Sequence, residues 1–489
     1  MRSKRLSIVI TLGLVGLILA PITTAYADDD VFINENKIEF TANDGQKTEA
    51  YQGFIMVPEN RNNPDSRLIK VSYVRFPGSA EKTSAPIVYL AGGPGGSGIA
   101  TAKWRRFPLF MAMREFGDVI ALDQRGTGIS EQAPECISKQ MISHTRVISN
   151  IELTRKYRQA ATECVDFWRN EGFDPLGYTT VQNAMDLEDL RLHLKAEQLS
   201  LWGISYGSHL ALSAMKLFPE RINKVIIASA EGLDQTVKMP SRTDAYFDRV
   251  QIVINQQPEL AKQIPDIKAL MKRVHAQLDQ LPMNVKIPRK NKEPLDFLFQ
   301  KWHLQSLASM MIADPGEYLS MLLKLYSSLD EKQDNILTAI LGRGIFNDSR
   351  IKFKLMSMSM DVASGISKKR LMQVNQEAKT SLLGKMLNFP MPHLHKFYPE
   401  LDLGDEFRTY PRSVIPTLLF TGTLDGRTYI KSQGEAVKGL SNLTHIRVEN
   451  AGHNLFTISP EVLTTMQDFM KNEEISKTVI RLPTPNLMN

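Results

Sequence analysis

The sequence predicts an α/β protein with a mostly parallel central sheet and a helical insertion late in the chain. Three observations lead there. Short, almost continuously apolar runs recur, as strands buried on both faces do. Segments with helical periodicity lie between several of them. The alternation stops near residue 232 and resumes near Val414. The 489 residues exceed one ordinary domain, and 43% hydrophobic with 23% charged residues excludes wholesale disorder. The formal net charge of +6 gathers into no basic cluster, which argues against a nucleic-acid binder.

Taken in order, the N-terminus reads as an export signal. Arg2, Lys4 and Arg5 precede an apolar run from Leu6 to Ala20, and Ala25-Tyr26-Ala27 offers small residues for cleavage. Residues 1–27 are therefore expected to be a secretory signal peptide, with an uncleaved anchor disfavoured by the short apolar run. Without its three basic residues the mature chain carries +3. No second long apolar run follows, so no stable membrane anchor is expected after cleavage. The expected location is the periplasm or the medium. In that setting the two cysteines, Cys136 and Cys164, are expected to form a disulfide, and closing the short loop between them stabilises by about 3 kcal/mol.

Residues 28–232 are expected to form the first part of the core. Phe54–Val57 and Ile69–Val74 have strand composition, with a turn cluster from Asn60 to Asp65 between them. Buried strands are expected at Pro86–Ala91, Asp118–Asp123, Leu199–Gly203 and Val225–Ser229, and helices at Val181–Leu194 and His209–Phe218. Residues 233–410 read as a helical cap. Leu304–Leu329 and Asp334–Leu341 are amphipathic, prolines punctuate the segment, and no convincing buried strand is evident. Residues 411–489 complete the core, starting with the strand Thr417–Thr421.

Four motifs carry chemistry. Gly203-Ile204-Ser205-Tyr206-Gly207 joins a strand to a helix, a turn that exposes a serine hydroxyl above the sheet. Thr421-Gly422-Thr423-Leu424-Asp425 follows a buried strand, where a carboxylate can orient a histidine. Asn450-Ala451-Gly452-His453 follows the strand-like Thr444–Val448. The order Ser205, Asp425, His453 is the one the α/β-hydrolase fold uses, so these are expected to be nucleophile, acid and base. Gly92-Gly93-Pro94-Gly95-Gly96-Ser97-Gly98 follows the Pro86–Ala91 strand. Residues 93–98 match a dinucleotide loop, but Pro94 and export count against that reading. An oxyanion loop fits better, with the backbone amides of Gly93 and Tyr206 as donors. Such a site needs no metal or organic cofactor. His393-x-His395 lacks an evident third metal ligand, His209 is expected to point away from Ser205, and the Met-rich stretches read as core or as an adaptable apolar lining.

Asp123-Gln124-Arg125-Gly126-Thr127-Gly128-Ile129-Ser130, the Gly92–Gly96 run and the Gly203–Gly207 motif together resemble the prolyl and tripeptidyl aminopeptidases, serine peptidases of the α/β-hydrolase fold. Asn183–Arg191 is similar to that family's helix before the nucleophile strand. The resemblance covers roughly 50–232 and 410–460, and it departs at two places. Ala91 stands where the family has His, and Asp425-Gly426-Arg427-Thr428-Tyr429 replaces D-P-x-T-P. The resemblance implies a small peptide or acyl substrate, a pocket built partly by the cap, and acidic residues that hold a substrate α-amine. Glu231 lies at the matching strand exit, with Asp314 and Glu317 as further candidates in the cap. A carboxylesterase or lipase with the same triad is the nearest rival, and a non-catalytic binding protein on this fold is a second. No protein partner is legible.

Overall fold

The computed structural model describes residues 35–79, 84–346 and 348–488. The signal peptide expected at 1–27 lies outside the described residues, as does the side chain of Glu317. Fourteen strands follow in chain order among the described residues: β1 (Glu35–Thr41), β2 (Lys47–Pro58), β3 (Leu68–Phe76), β4 (Ile87–Leu90), β5 (Val119–Leu122), β6 (Cys136–Met141), β7 (Leu199–Ile204), β8 (Ile222–Ala228), β9 (Met283–Arg289), β10 (Lys292–Phe299), β11 (Arg350–Phe353), β12 (Thr417–Gly422), β13 (Leu443–Glu449) and β14 (Val479–Arg481).

Ten of them form one sheet in the order β1-β2-β3-β5-β4-β7-β8-β12-β13-β14. The β1–β2, β2–β3 and β3–β5 pairings are antiparallel, and every pairing from β5 onward is parallel. Strands β4, β5, β7 and β12 are buried along their whole length. Their unbroken apolar sequence is what a parallel strand covered by helices on both faces requires. One face packs Val88, Leu90, Leu201 and Leu419, and the other packs Tyr89, Trp202, Phe420 and Val448. Because β4 lies beside both β5 and β7, the sheet reverses its winding there. The crevice at such a switch point, outside the carboxyl ends of the strands, is where this class of fold binds ligands.

Between β8 and β12 the chain runs through helices with an apolar core of their own, built around Phe247, Leu304, Leu307, Leu322 and Leu323. Two expectations fail here. The segment contains strands: β9 and β10 form an antiparallel hairpin, and β11 pairs with β6. The hairpin alternates faithfully, with Val285, Ile287, Phe297 and Phe299 buried, and Asn291 turns it at φ 57°. Prolines at 288 and 294 mask that pattern in the sequence. The long helix expected over 304–329 is instead Lys301–Met311 and Ser320–Asp330, interrupted by a π turn at Pro315–Leu319. Pro315 lacks the amide a continuous helix needs. No helix among the described residues is long and apolar enough to cross a membrane.

Candidate active site

Ser205 sits between β7 and the helix Tyr206–Leu217 with φ 54° and ψ −124°, backbone angles sparsely populated for a residue with a side chain. The flanking glycines make the turn possible. A Cβ on Gly203 would lie 2.5 Å from the Gly207 carbonyl oxygen, and one on Gly207 would lie 2.0 Å from that of Leu90. Gly92 packs against the serine itself, since a Cβ there would come within 3.1 Å of Ser205 Cβ. The glycine loop closes through Gly96 N–H donating to Gly92 O at 3.0 Å. Gly93 takes φ +129°, which favours glycine. Neither the Gly93 nor the Tyr206 backbone N–H has a hydrogen-bond partner among the described residues. Two unsatisfied donors flanking a serine hydroxyl are what a developing oxyanion requires.

Asp425 and His453 follow β12 and β13. His453 Nδ1 lies 2.9 Å from Asp425 Oδ2. The same carboxylate accepts from Thr428 Oγ1 at 2.6 Å and from the amides of Arg427 and Thr428 at 2.8 Å each. Burial alone would raise the Asp425 carboxyl, but His453 and Thr428 hold it below its ordinary value. Two hydrogen bonds place this pair beside Ser205. Ser205 N–H donates to Ala228 O at 3.1 Å, and the next residue, Ser229, donates its hydroxyl to His453 O at 2.7 Å. The expected triad and both expected oxyanion donors thus gather at the ends of β4, β7, β12 and β13.

The inserted segment grips both loops of this pair. Ile312 O accepts from Gly426 N–H at 2.9 Å, Ala313 O from His453 N–H at 2.8 Å, and Ser309 O from Arg427 Nη1 at 3.1 Å. The Asp314 carboxylate accepts from Asn454 N–H at 3.0 Å and from its Nδ2 at 2.6 Å. Asp314 was a candidate for holding a substrate amine; instead both its oxygens are engaged with the residue after His453. Gly426 and Gly452 permit the close approach, since a Cβ on either would meet this segment at 2.7 Å and 2.5 Å.

Glu231 is buried at the exit of β8 and pairs with Lys238 Nζ at 2.5 Å. Burial raises its carboxyl, and Lys238, His209 and Arg427 more than reverse that. A second carboxylate, absent from the sequence expectations, lies close enough to feel it. Asp361, on the helix Leu355–Ser364, has no side-chain hydrogen bond among the described residues. Burial first, then Glu231, push its carboxyl up to about 7 against the opposing pull of Lys238 and Arg427. A lone charge between Met358, Met360, Val362 and Ala363 was the available signal. His209 serves structure: its Nδ1 lies 3.2 Å from Gly232 O and its Nε2 3.0 Å from Ser364 Oγ.

The Asp123–Ser130 string braces the site. Arg125 is fully buried, and all five of its N–H bonds have acceptors. Nε and Nη2 reach Asp186 at 2.7 and 2.6 Å, Nη1 reaches the carbonyls of Glu59 and Gly177, and Nη2 also reaches that of Pro58. Gln124 Nε2 donates to Ala91 O at 3.0 Å and its Oε1 accepts from Asn183 at 2.9 Å, fixing the base of the glycine loop. Asp123 accepts from Ser97 Oγ at 2.5 Å, Ile99 N–H at 3.1 Å and Ile129 N–H at 2.8 Å. Its carboxylate is therefore engaged and buried, so the acid after β5 is not free to bind the ribose that the dinucleotide reading of residues 93–98 requires.

Cys136 and Cys164 form a disulfide with their Cα atoms 5.5 Å apart, tying β6 to the helix Asn150–Asn170. His393 Nδ1 lies 2.5 Å from Thr154 Oγ1, and burial pushes the ring down to about 4. Among the described residues no cluster of three or more His, Cys, Asp or Glu side chains has the arrangement to hold a metal.

Residues 85–274 match the family model of the α/β-hydrolase fold. Over 186 residues the chain is 28% identical to the serine protease Hip1 of Mycobacterium tuberculosis, covering 36% of this chain and 35% of that one. Over 211 residues it is 25% identical to the tripeptidyl aminopeptidase of Streptomyces coelicolor, covering 40% and 36%. The matched segments thus span about a third of the length of these relatives. Among solved structures, an epoxide hydrolase from an endophytic Streptomyces aligns over 88% of this chain and 99% of its own at 14% identity, with a TM-score of 0.39. The sheet order, the matched segment and the named relatives together make this chain an α/β hydrolase by fold, similar in sequence to serine peptidases.

Proposed function

We propose that the chain is an exported serine peptidase that cleaves peptides near a free N-terminus through an acyl-enzyme. The observation that carries the reading is the 2.9 Å contact between His453 Nδ1 and Asp425 beside the strained Ser205 turn. With its Nδ1 proton donated to Asp425, a neutral His453 presents Nε2 as a base. Nε2 takes the Ser205 hydroxyl proton as Oγ bonds to the scissile carbonyl carbon. The carbonyl oxygen becomes an oxyanion facing the amides of Gly93 and Tyr206. As the intermediate collapses, the C–N bond breaks and the leaving amine takes the proton from Nε2. Water then enters by the same route, giving its proton to Nε2, and the acyl–Oγ bond breaks with that proton returned to Ser205.

The buried charges support an amine-recognising site. Glu231 and Asp361 lie buried near one another, Lys238 and Arg427 act on both, and the mutual repulsion that, after burial, raises Asp361 leaves room for a further cation there. A substrate α-ammonium is such a cation. The names of the two peptidase relatives support the same class, and the disulfide supports an oxidising compartment. The test compares an aminoacyl or tripeptidyl naphthylamide with a free N-terminus, its N-acetyl form and a short acyl ester. The proposal expects the free amine to be preferred at least tenfold over the acetylated form. Equal rates for both would remove the aminopeptidase reading, and turnover of the ester alone would favour a carboxylesterase.

A further inference from the structure

A cavity of about 230 Å³ lies between the inserted segment and the first part of the core, lined by Tyr157, Phe297, Trp302, His303, Phe346 and Phe389. A cavity of about 150 Å³ with an apolar lining accepts a benzene ring, so this one has room for an aromatic side chain. Four features mark it as a binding site. First, the helix Lys301–Met311 presents Trp302, Ser306, Ser309 and Met310 along one wall. At one end of this stripe Ser309 O holds Arg427, two residues after Asp425. The stripe runs about 12 Å along the helix, roughly the reach of three or four extended residues. The helix that forms this wall thus also holds the loop after Asp425, and the chamber lies on the same helix as that contact.

Second, Phe346 holds φ +65°, a left-handed conformation that is a genuine outlier for a bulky residue. The strain keeps its ring on the chamber wall, 6.1 Å from Phe297 and 5.0 Å from His303. Third, polar groups there lack partners. Trp302 Nε1 and Ser306 Oγ are buried with no hydrogen bond, an uncommon state for such atoms. His303 is 2% exposed, and its Nδ1 accepts from Gln300 N–H at 3.0 Å, which puts the ring proton on Nε2. That Nε2–H has no partner among the described residues. Fourth, Met310 and Met386 add side chains that adapt to an apolar guest, beside the polar His144, Asp348 and Arg350 at the same cavity.

We propose that this chamber is a specificity subsite that takes an aromatic side chain of the peptide substrate, a few residues from the scissile bond. The His303 Nε2–H donates to an oxygen of the same ligand, a phenol hydroxyl or a peptide carbonyl. The inference rests on the peptidase reading above. Its test is a set of alanine pentapeptides with a single Phe or Tyr moved through positions one to five, cleavage being followed by mass spectrometry. One position should raise kcat/KM by 10- to 100-fold over all-alanine. Ser306→Trp fills the chamber and should reduce that preference to under threefold, with all-alanine turnover and fluorophosphonate labelling of Ser205 within twofold of wild type. Ser306→Leu is read the same way should the tryptophan variant not fold, and Ser306→Ala should keep the preference. No position exceeding threefold, or a preference that survives filling, overturns the proposal. Absent labelling and absent turnover of every peptide by the wild type would overturn the peptidase reading instead.

Discussion

Replacing Asp361 by Asn separates the stability of the site from its proposed use. The Asp361 carboxyl is lifted from 3.8 to about 7, by burial first and then by Glu231. A native pKa above the unfolded one means that the folded chain binds this proton more tightly. The stability it contributes is fully present below about pH 4 and lost as pH rises through 7. About three pH units at 1.36 kcal/mol each sets a ceiling of about 4 kcal/mol. Relaxation and water entry around an ionised buried group lower that ceiling, so about 2–4 kcal/mol is the working range. The Asn variant cannot ionise. It should therefore gain on wild type by that amount between pH 4 and pH 8, read from urea midpoints at the two ends. The same change removes a charged partner of the substrate amine, worth about 1.5–3 kcal/mol. KM for a free-amine peptide should rise by roughly 10- to 100-fold with kcat little changed. In wild type, KM should be lowest between about pH 7, where Asp361 ionises, and about pH 8, where an α-amine loses its proton. A variant with unchanged KM and no relative gain in stability toward pH 8 would refute the reasoning.

Asp314→Asn loosens the grip on the His453 loop without touching the triad, so kcat should fall about tenfold at constant KM, consistent with lost positioning. Asp314→Glu should recover part of it, and the rate of fluorophosphonate labelling should follow kcat. Arg125→Lys offers three N–H donors where five are used and leaves at least two of these buried contacts unmade; a loss of about 3–5 kcal/mol is expected by denaturant titration. Replacing both Cys136 and Cys164 by Ser should cost about 3 kcal/mol of stability by the same titration, with kcat unchanged because the bridge lies away from the triad loops.

What the sequence made legible was whatever depends on neighbours along the chain. Val119–Leu122 and Thr417–Gly422 read as buried strands because both faces are covered, so their composition is unambiguous. The Ser205 turn was readable because Gly203 and Gly207 are required by steric contacts within a few residues and one adjacent strand. The role of Asp314 in holding the His453 loop was not legible, because its partner, Asn454, is 140 residues away and no local pattern announces it. Asp361 went unnoticed because a single acid in a Met-rich helix looks like a solvated position until the burial is known. The β9–β10 hairpin was hidden by two prolines that a short antiparallel pair tolerates at its edges. The functions assigned to Arg125, Gln124 and Asp123 likewise emerge only when Asp186, Asn183 and Ser97 are seen beside them.

The central claim is that Ser205 is the nucleophile of a triad completed by Asp425 and His453. Intact-mass spectrometry of the purified protein after a fluorophosphonate probe, with Ser205→Ala and His453→Ala alongside, tests it most directly. The account predicts a single adduct on wild type, none on Ser205→Ala, and labelling slowed by orders of magnitude on His453→Ala. An unlabelled wild type, or an equal adduct on Ser205→Ala, would contradict it.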